Sequence, residues 1–199
     1  MVLANGLATA ATAVNDEVTF YVGGDINYGH WSYKTNLTTA TLANLATFNI
    51  FPKLKKGTTA FDLVFGSKFS PYFGAEAGYE QFSKNHLFTS PGKAAARMQA
   101  DNIYLDLLAY VPVRCKFNFV GALGLGRMRT KTTVYNYINN TNLPLLNNKN
   151  GARLGLGAMY NIDPCTAARL MVRYQKTGNN ATLTKNFVSA GVGLTYTFL

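Results

Sequence analysis

The chain has 199 residues, 48% of them apolar, 13% aromatic and 14% charged, with 19 basic against 9 acidic side chains and a formal net charge of +10. That length gives one domain or at most two small ones, and soluble domains usually carry about 25% charged residues, so the ionic surface that keeps a protein in water is short here. No apolar run approaches the ~18 residues of a transmembrane helix, and the wealth of aromatic and β-branched side chains excludes intrinsic disorder, which leaves a β-rich protein with an unusual surface.

Residues 1–17 read either as the tail of an export signal or as a flexible N-terminus. Ala11-Thr12-Ala13 has the small-residue pattern of a signal-peptidase site, yet no Lys or Arg precedes it. From Val18 onward, apolar and polar side chains alternate in blocks of about ten residues, the mark of strands with two unlike faces. In the first, Val18, Phe20, Val22, Ile26 and Tyr28 oppose Thr19, Tyr21, Gly23, Asp25 and Asn27. The second sets Phe61, Leu63, Phe65 and Phe69 against Asp62, Gly66 and Lys68; the third sets Phe73, Ala75, Ala77 and Tyr79 against Gly74, Glu76, Gly78 and Glu80. Ile103, Leu105, Leu107, Ala109 and Val111 then oppose Tyr104, Asp106, Leu108 and Tyr110. A less regular block spans Phe117 to Arg127. Next, Leu154, Leu156, Ala158 and Tyr160 oppose Arg153, Gly155, Gly157 and Met159. Leu170, Val172 and Tyr174 oppose Arg169, Met171 and Arg173, and the last block sets Val188, Ala190, Val192, Leu194, Tyr196 and Phe198 against Ser189, Gly191, Gly193, Thr195 and Thr197.

These eight predicted strands are joined by connections that alternate in length. The links at 70–71, 113–116 and 163–165 are short; those near 34–58, 84–99, 130–149 and 177–186 are long. An even-numbered meander of this kind places both termini on the tight-turn side. A soluble eight-stranded barrel would turn its bulky apolar face inward, but an eight-stranded interior is only wide enough to be filled by side chains. Glycines and small polar residues suit that lumen, so the apolar face is expected to meet lipid, where the backbone survives only in helices or closed barrels. Aromatics at strand ends, such as Phe69, Phe73, Phe117, Tyr160, Tyr196 and Phe198, fit an interfacial girdle.

The block Ser70-Pro71-Tyr72-Phe73-Gly74, the Gly-x-Gly strand of Leu123 to Gly126, the Tyr160-Asn161-Ile162-Asp163-Pro164 turn leading to Arg169 and Arg173-Tyr174, and the closing Leu194-x-Tyr196-x-Phe198 together resemble outer-membrane β-barrel proteins such as the OmpA and OmpX transmembrane domains. The resemblance covers residues 18–199 and implies an all-β, eight-stranded, antiparallel up-and-down transmembrane barrel as the single domain after residues 1–17. It further implies a bacterial outer-membrane location with long loops outside and termini in the periplasm. A terminal strand ending in an aromatic is what the outer-membrane assembly machinery reads in that family; here Leu199 follows Phe198. No counterpart of the peptidoglycan-binding domain of full OmpA-type proteins is expected.

With those faces, Asp25, Asp62, Glu76, Glu80, Asp106, Lys68, Arg153, Arg169 and Arg173 all point into the lumen. Unpaired buried charges cost several kcal/mol each, so a hydrogen-bonded ionic network plugging the lumen is expected, either as a static plug or as the gate of a narrow pore. The long loops carry Lys34, Lys53, Lys55, Lys56, Lys84, Lys93, Arg97, Lys131, Lys149 and Lys185, either a field suited to lipopolysaccharide phosphates or simply solvating charge, and segments such as 47–51 and 134–137 are either extensions of the hairpins beyond the membrane or adhesive contacts for a host or surface ligand. The basic residues form no clustered nucleic-acid motif, so no nucleic-acid partner is expected. Two small enzymes share the eight-stranded membrane architecture, a lipid A palmitoyltransferase and a lipid A deacylase, which makes the two histidines the candidates for catalysis. His30-Trp31-Ser32 resembles the His-x-Ser pair of the deacylase and shares a strand face, but it sits on the first strand with no nearby Glu to orient the imidazole. His86 has no evident partner. Cys115 and Cys165 lack CxxC spacing, so neither metal nor cofactor is expected. Both fall in short turns, where a disulfide is possible if their Cα atoms come within about 7 Å, two free thiols being the alternative.

Overall fold

The computed structural model describes residues 18–33, 56–88, 94–114, 116–136, 141–176 and 184–198. Its strands are β1 (Thr19–Tyr33), β2 (Gly57–Lys68), β3 (Phe73–Phe82), β4 (Asn85–Phe88), β5 (Ala94–Arg114), β6 (Phe117–Asn136), β7 (Thr141–Asn161), β8 (Thr166–Lys176) and β9 (Thr184–Phe198). β3 and β4 both pair with β5, one after the other, so they are two segments of a single barrel strand interrupted at Ser83-Lys84. β1 pairs with β2 on one side and β9 on the other, and β3 pairs with β5, which closes an eight-stranded, wholly antiparallel barrel in which each strand lies beside its neighbours in sequence. Closure removes every edge within the barrel wall, the condition for a sheet to cross hydrocarbon.

Short turns are fixed by their own side chains. The Ser70 Oγ accepts hydrogen bonds from the amides of Tyr72 (3.2 Å) and Phe73 (2.9 Å). At the β7–β8 turn, the Asp163 Oδ1 accepts from the amides of Cys165 (2.9 Å) and Thr166 (2.7 Å). Such side-chain-to-backbone bonds substitute for ladder bonds where the chain reverses.

The outer face is a belt of exposed aliphatics, with Ile26, Leu105, Leu125 and Leu156 all more than 59% exposed. Phe69, Tyr72, Phe73, Tyr160, Tyr196 and Phe198 ring the turn end of this belt, and Tyr28, Phe61, Tyr79 and Tyr174 ring its loop end. On β6 the outward stripe runs Phe119, Leu123, Leu125 and then abruptly Arg127, Arg129 and Lys131. Ten residues of a strand tilted by about 40° rise roughly 25 Å, the height of an outer-membrane hydrocarbon band.

Two expectations are corrected. The long connection at 130–149 is the hairpin extension and not a loop between shorter strands: β6 continues to Asn136 and β7 resumes at Thr141, in unbroken register from Phe117↔Tyr160 to Asn136↔Thr141. Likewise, 84–99 contains β4 and the start of β5. The apolar-polar contrast fades there because the outward stripe turns charged, Arg127, Arg129 and Lys131 all being exposed, so the outer face is no longer marked by apolar residues. The second correction concerns the lumen, which is not lined by small residues alone. Tyr21, Tyr104, Tyr110, Leu108, Met159 and Met171 belong to one buried cluster, and Trp31, Phe82, Met98, Met128 and Phe187 to another. The glycines make room for them: a Cβ on Gly66 would run into the Tyr21 ring opposite, and one on Gly78 into Tyr104.

Candidate functional site in the lumen and on the rim

Following β1 from the turn end, the inward side chains are Tyr21, Asp25, Asn27 and Trp31; on β5 they are Tyr110, Leu108, Asp106, Tyr104, Asn102, Ala100 and Met98. Charge therefore occupies the middle of the lumen, with an apolar cluster on either side. The Arg169 guanidinium grips Asp25 with two parallel bonds, Nε to Oδ1 and Nη2 to Oδ2, both 2.7 Å, and its Nη1 donates to Glu76. Arg173 Nη1 reaches the same Asp25 at 3.0 Å and Asp62 at 3.6 Å, while its Nη2 lies 3.5 Å from Glu76. Arg153 donates from Nε to Asp106 (3.0 Å), lies 3.5 Å from Glu80 and stacks over the Tyr104 ring with its Cζ 3.5 Å from the centroid. Bidentate and stacked geometry of this kind is available to arginine and not to lysine.

Neutral groups take up further acceptor positions. The Tyr104 hydroxyl donates to Asp62 at 2.7 Å, Tyr21 to Glu76 at 3.0 Å, and the Asn102 amide to Glu80 at 3.3 Å. The side-chain amides of Asn102 and Gln175 exchange two hydrogen bonds of 2.8 and 3.1 Å across the barrel. Each of the five carboxylates thus meets at least one donor, as desolvated charge requires. β1, β2, β3, β5, β7 and β8 supply these groups. β6 and β9 supply glycines: Gly124 lies opposite Asp106, and Gly191 and Gly193 lie opposite Asn27 and Asp25. A Cβ at any of the three would collide with the side chain it faces.

The structure brings Asp25, Asp62, Glu76, Glu80, Asp106, Arg153, Arg169 and Arg173 together and leaves Lys68 outside. Lys68 is paired in register with Gly74 near the turn end, below the carboxylates, and its ammonium lies over the Tyr110 ring, 4.8 Å from the centroid, and 3.8 Å from the Met159 sulfur. Tyr21, Asn27, Tyr104, Asn102 and Gln175 belong to the network although sequence reasoning did not select them. Alternation placed the first three on the inner face, but tyrosine and asparagine carry no charge to single them out. Asn102 and Gln175 sit one residue beyond the alternating blocks.

Cys165 is a free, half-exposed thiol. Its carbonyl accepts from the Thr197 amide (2.7 Å), which holds it on the β9 side of its turn, whereas Lys116 of the β5–β6 turn bonds through its carbonyl to the Asn161 amide (2.8 Å) on the β6 side. Cys115, its candidate disulfide partner, lies outside the described residues. His30 points outward, and Ser32 is half-buried on the same side of β1; the side chain of His86 lies outside the described set, as do residues 1–17, Lys34, Lys53, Lys55 and Lys93. Among the described residues, no three His, Cys, Asp or Glu side chains are placed to hold a metal ion. At the loop end, Lys56, Lys84, Arg127, Arg129, Lys131, Lys176 and Lys185 are exposed. The only exposed or half-exposed acid described at that end is Asp101, which pairs with Arg129 at 2.5 Å.

A closed antiparallel barrel with an apolar belt outside, aromatic rings at both margins and ionic groups within is a transmembrane barrel of outer-membrane type. The sequence matches the outer membrane protein beta-barrel domain model over residues 1–198, and the chain belongs to that family of bacterial outer-membrane proteins. No curated protein sequence matches it. Among solved structures, Neisserial surface protein A superposes with a TM-score of 0.62 at 13% identity, covering 92% of this chain and 99% of that one. The attachment invasion locus protein Ail of Yersinia pestis gives 0.54 at 13% identity, over 91% and 97% of the two chains. OprG of Pseudomonas aeruginosa gives 0.55 at 14% identity, over 90% and 95%. At such identities these likenesses establish the fold.

Proposed function

We propose that this protein is a closed outer-membrane barrel with a structural and surface-interaction role, neither conducting nor catalytic, whose long hairpins face outward and whose termini lie in the periplasm. The observation that supports the reading is the ionic layer: three arginines and five carboxylates, in contacts reaching from 2.7 Å (Arg169 to Asp25) out to 3.6 Å (Arg173 to Asp62), lie inside the barrel between two apolar clusters. The rim supports a surface role. β5, β6 and β7 run about ten residues beyond the aromatic ring, and from Thr141 to Ala152 β7 pairs with β6 alone among the described strands, its other edge having no described partner. Open edges accept an added strand from a partner. The basic rim favours polyanions, lipopolysaccharide phosphates first. An Ail structure of the same fold was solved in complex with the heparin analogue sucrose octasulfate, which is a polyanion of a second source. The closing Leu194-x-Tyr196-x-Phe198 strand is the segment offered to the assembly machinery.

Planar-bilayer recording tests the plug. Wild-type protein is expected to show no discrete openings, and Arg169→Ala, which frees Asp25 and Glu76, is the variant most apt to admit ions. Discrete openings in the wild type that Arg169→Ala abolishes would replace the plug with a narrow porin. Loss of an acyl chain from lipid A, dependent on His30 and Ser32, would replace it with an enzyme.

A further inference from the structure

Below the ionic layer, at the turn end, the lumen opens into a vestibule of about 590 Å3. It is lined by Tyr21, Met159, Asn161, Ile162, Pro164 and Ala167 and, from β1 and β9, by Thr19 and Thr197. Lys68 projects into it half-buried. Every other cation inside this barrel meets a carboxylate, but Lys68 has only an aromatic face and a thioether within reach and no carboxylate among the described residues. Asp163, the one acid in the wall, turns its Oδ1 into its own turn to accept two amides. An ammonium taken partly out of water without a counter-ion is costly, so a lysine placed this way suits a ligand that brings the negative charge.

We propose that the turn-end vestibule is a binding site for a small organic carboxylate, its charged head on Lys68 and its apolar body against Met159, Ile162 and Ala167. A single ammonium matches a monoanion better than a dianionic phosphate. The threonine and asparagine groups supply neutral donors, and the volume leaves space for a body as large as an aromatic ring. Lys116 stands at the mouth, donating to the Ile162 carbonyl at 3.5 Å, and adds a positive field at the entrance. The site is independent of whether the lumen above it conducts.

The test is a titration of the full chain, folded in zwitterionic detergent micelles and 15N-labelled, with sodium benzoate, acetate and phosphate against sodium chloride at matched ionic strength. Benzoate is expected to shift the Thr19, Asn161 and Thr197 amides saturably in the millimolar range, with acetate weaker and chloride inert. Lys68→Met should weaken benzoate about tenfold or more, Lys68→Arg should retain it, and heat-modifiable migration reports folding; if the Met variant does not fold, Lys68→Gln takes its place. Absence of a saturable shift, equal binding by the neutral variant, or phosphate binding more tightly than benzoate would overturn the proposal. So would binding that emerges only in Asp16→Asn/Glu17→Gln, because the lysine would then belong to the chain's own acids.

Discussion

A glycine on the inner face of this barrel is defined by the side chain across the ladder from it. Gly193 faces Asp25, and a Cβ there would meet both the Asp25 carboxylate and the Gly24 carbonyl, one of which is backbone and cannot step aside. Gly121, on the outer face, has nothing within 4 Å of the equivalent point. Gly193→Val is therefore expected to lower stability by about 1–3 kcal/mol or to prevent folding, the cost of overpacking, while Gly121→Ala is neutral or slightly stabilising. Urea midpoints in detergent separate the two outcomes. A second residue-scale effect sits at Asp163, where hydrogen bonds from the Cys165 and Thr166 amides hold the carboxyl below the usual carboxylate range. Because its folded value lies below the unfolded one, the turn gains stability above about pH 4 and loses it as pH falls further. Asp163→Asn is expected to remove that pH dependence from the unfolding rate, and an unchanged profile would assign the dependence elsewhere.

At the scale of elements, strands were legible wherever one face met hydrocarbon and the other the lumen. The run from Val188 to Phe198 alternates without a break because lipid and lumen each reject the other's residues. Thr130 to Asn136, in the same strand as Leu123 and Leu125, does not alternate, because past Arg127 the outward positions are no longer apolar, and without alternation a strand and a long connection look alike in sequence. Alternation likewise gave the face of each charge without its height. Lys68 shares a face with Asp62 and lies six residues nearer the turn, far enough to miss every carboxylate of the cluster. Which arginine meets which acid depends on side chains that cross the barrel from non-adjacent strands, as Arg169 of β8 does to Glu76 of β3, and no local pattern encodes that. The protruding hairpin should be separable from the barrel. Lys131 and Leu146 are register partners, so replacing residues 131–146 by Asn-Gly joins Thr130 to its partner Asn147 through a two-residue turn. The shortened protein is expected to keep the heat-modifiable migration and urea midpoint of the parent; a large loss would mean that the hairpin is needed to complete the barrel.

For the whole molecule, the question is where a net charge of +10 resides. Five of the nine acids are consumed in the lumen against three arginines, so the lumen lowers the acid count outside far more than the basic count. Among the described residues outside the barrel wall, cations cluster at the loop end, and a surface of one sign crowded onto one end focuses its field outward. Exposed charges act through water within a Debye length of about 8 Å at physiological salt, so the attraction should be strong at low ionic strength and fade as salt rises. Immobilised heparin is a suitable probe: the detergent-solubilised barrel should be retained and released by sodium chloride. Arg127, Lys131 and Lys185 make no ion pair among the described residues, and reversing all three to Glu should weaken retention about tenfold, since each exposed contact is worth little by itself. Lys116→Glu, at the opposite end, should leave it unchanged. Equal loss from both ends would show that net charge alone governs binding, and the oriented rim would lose its role.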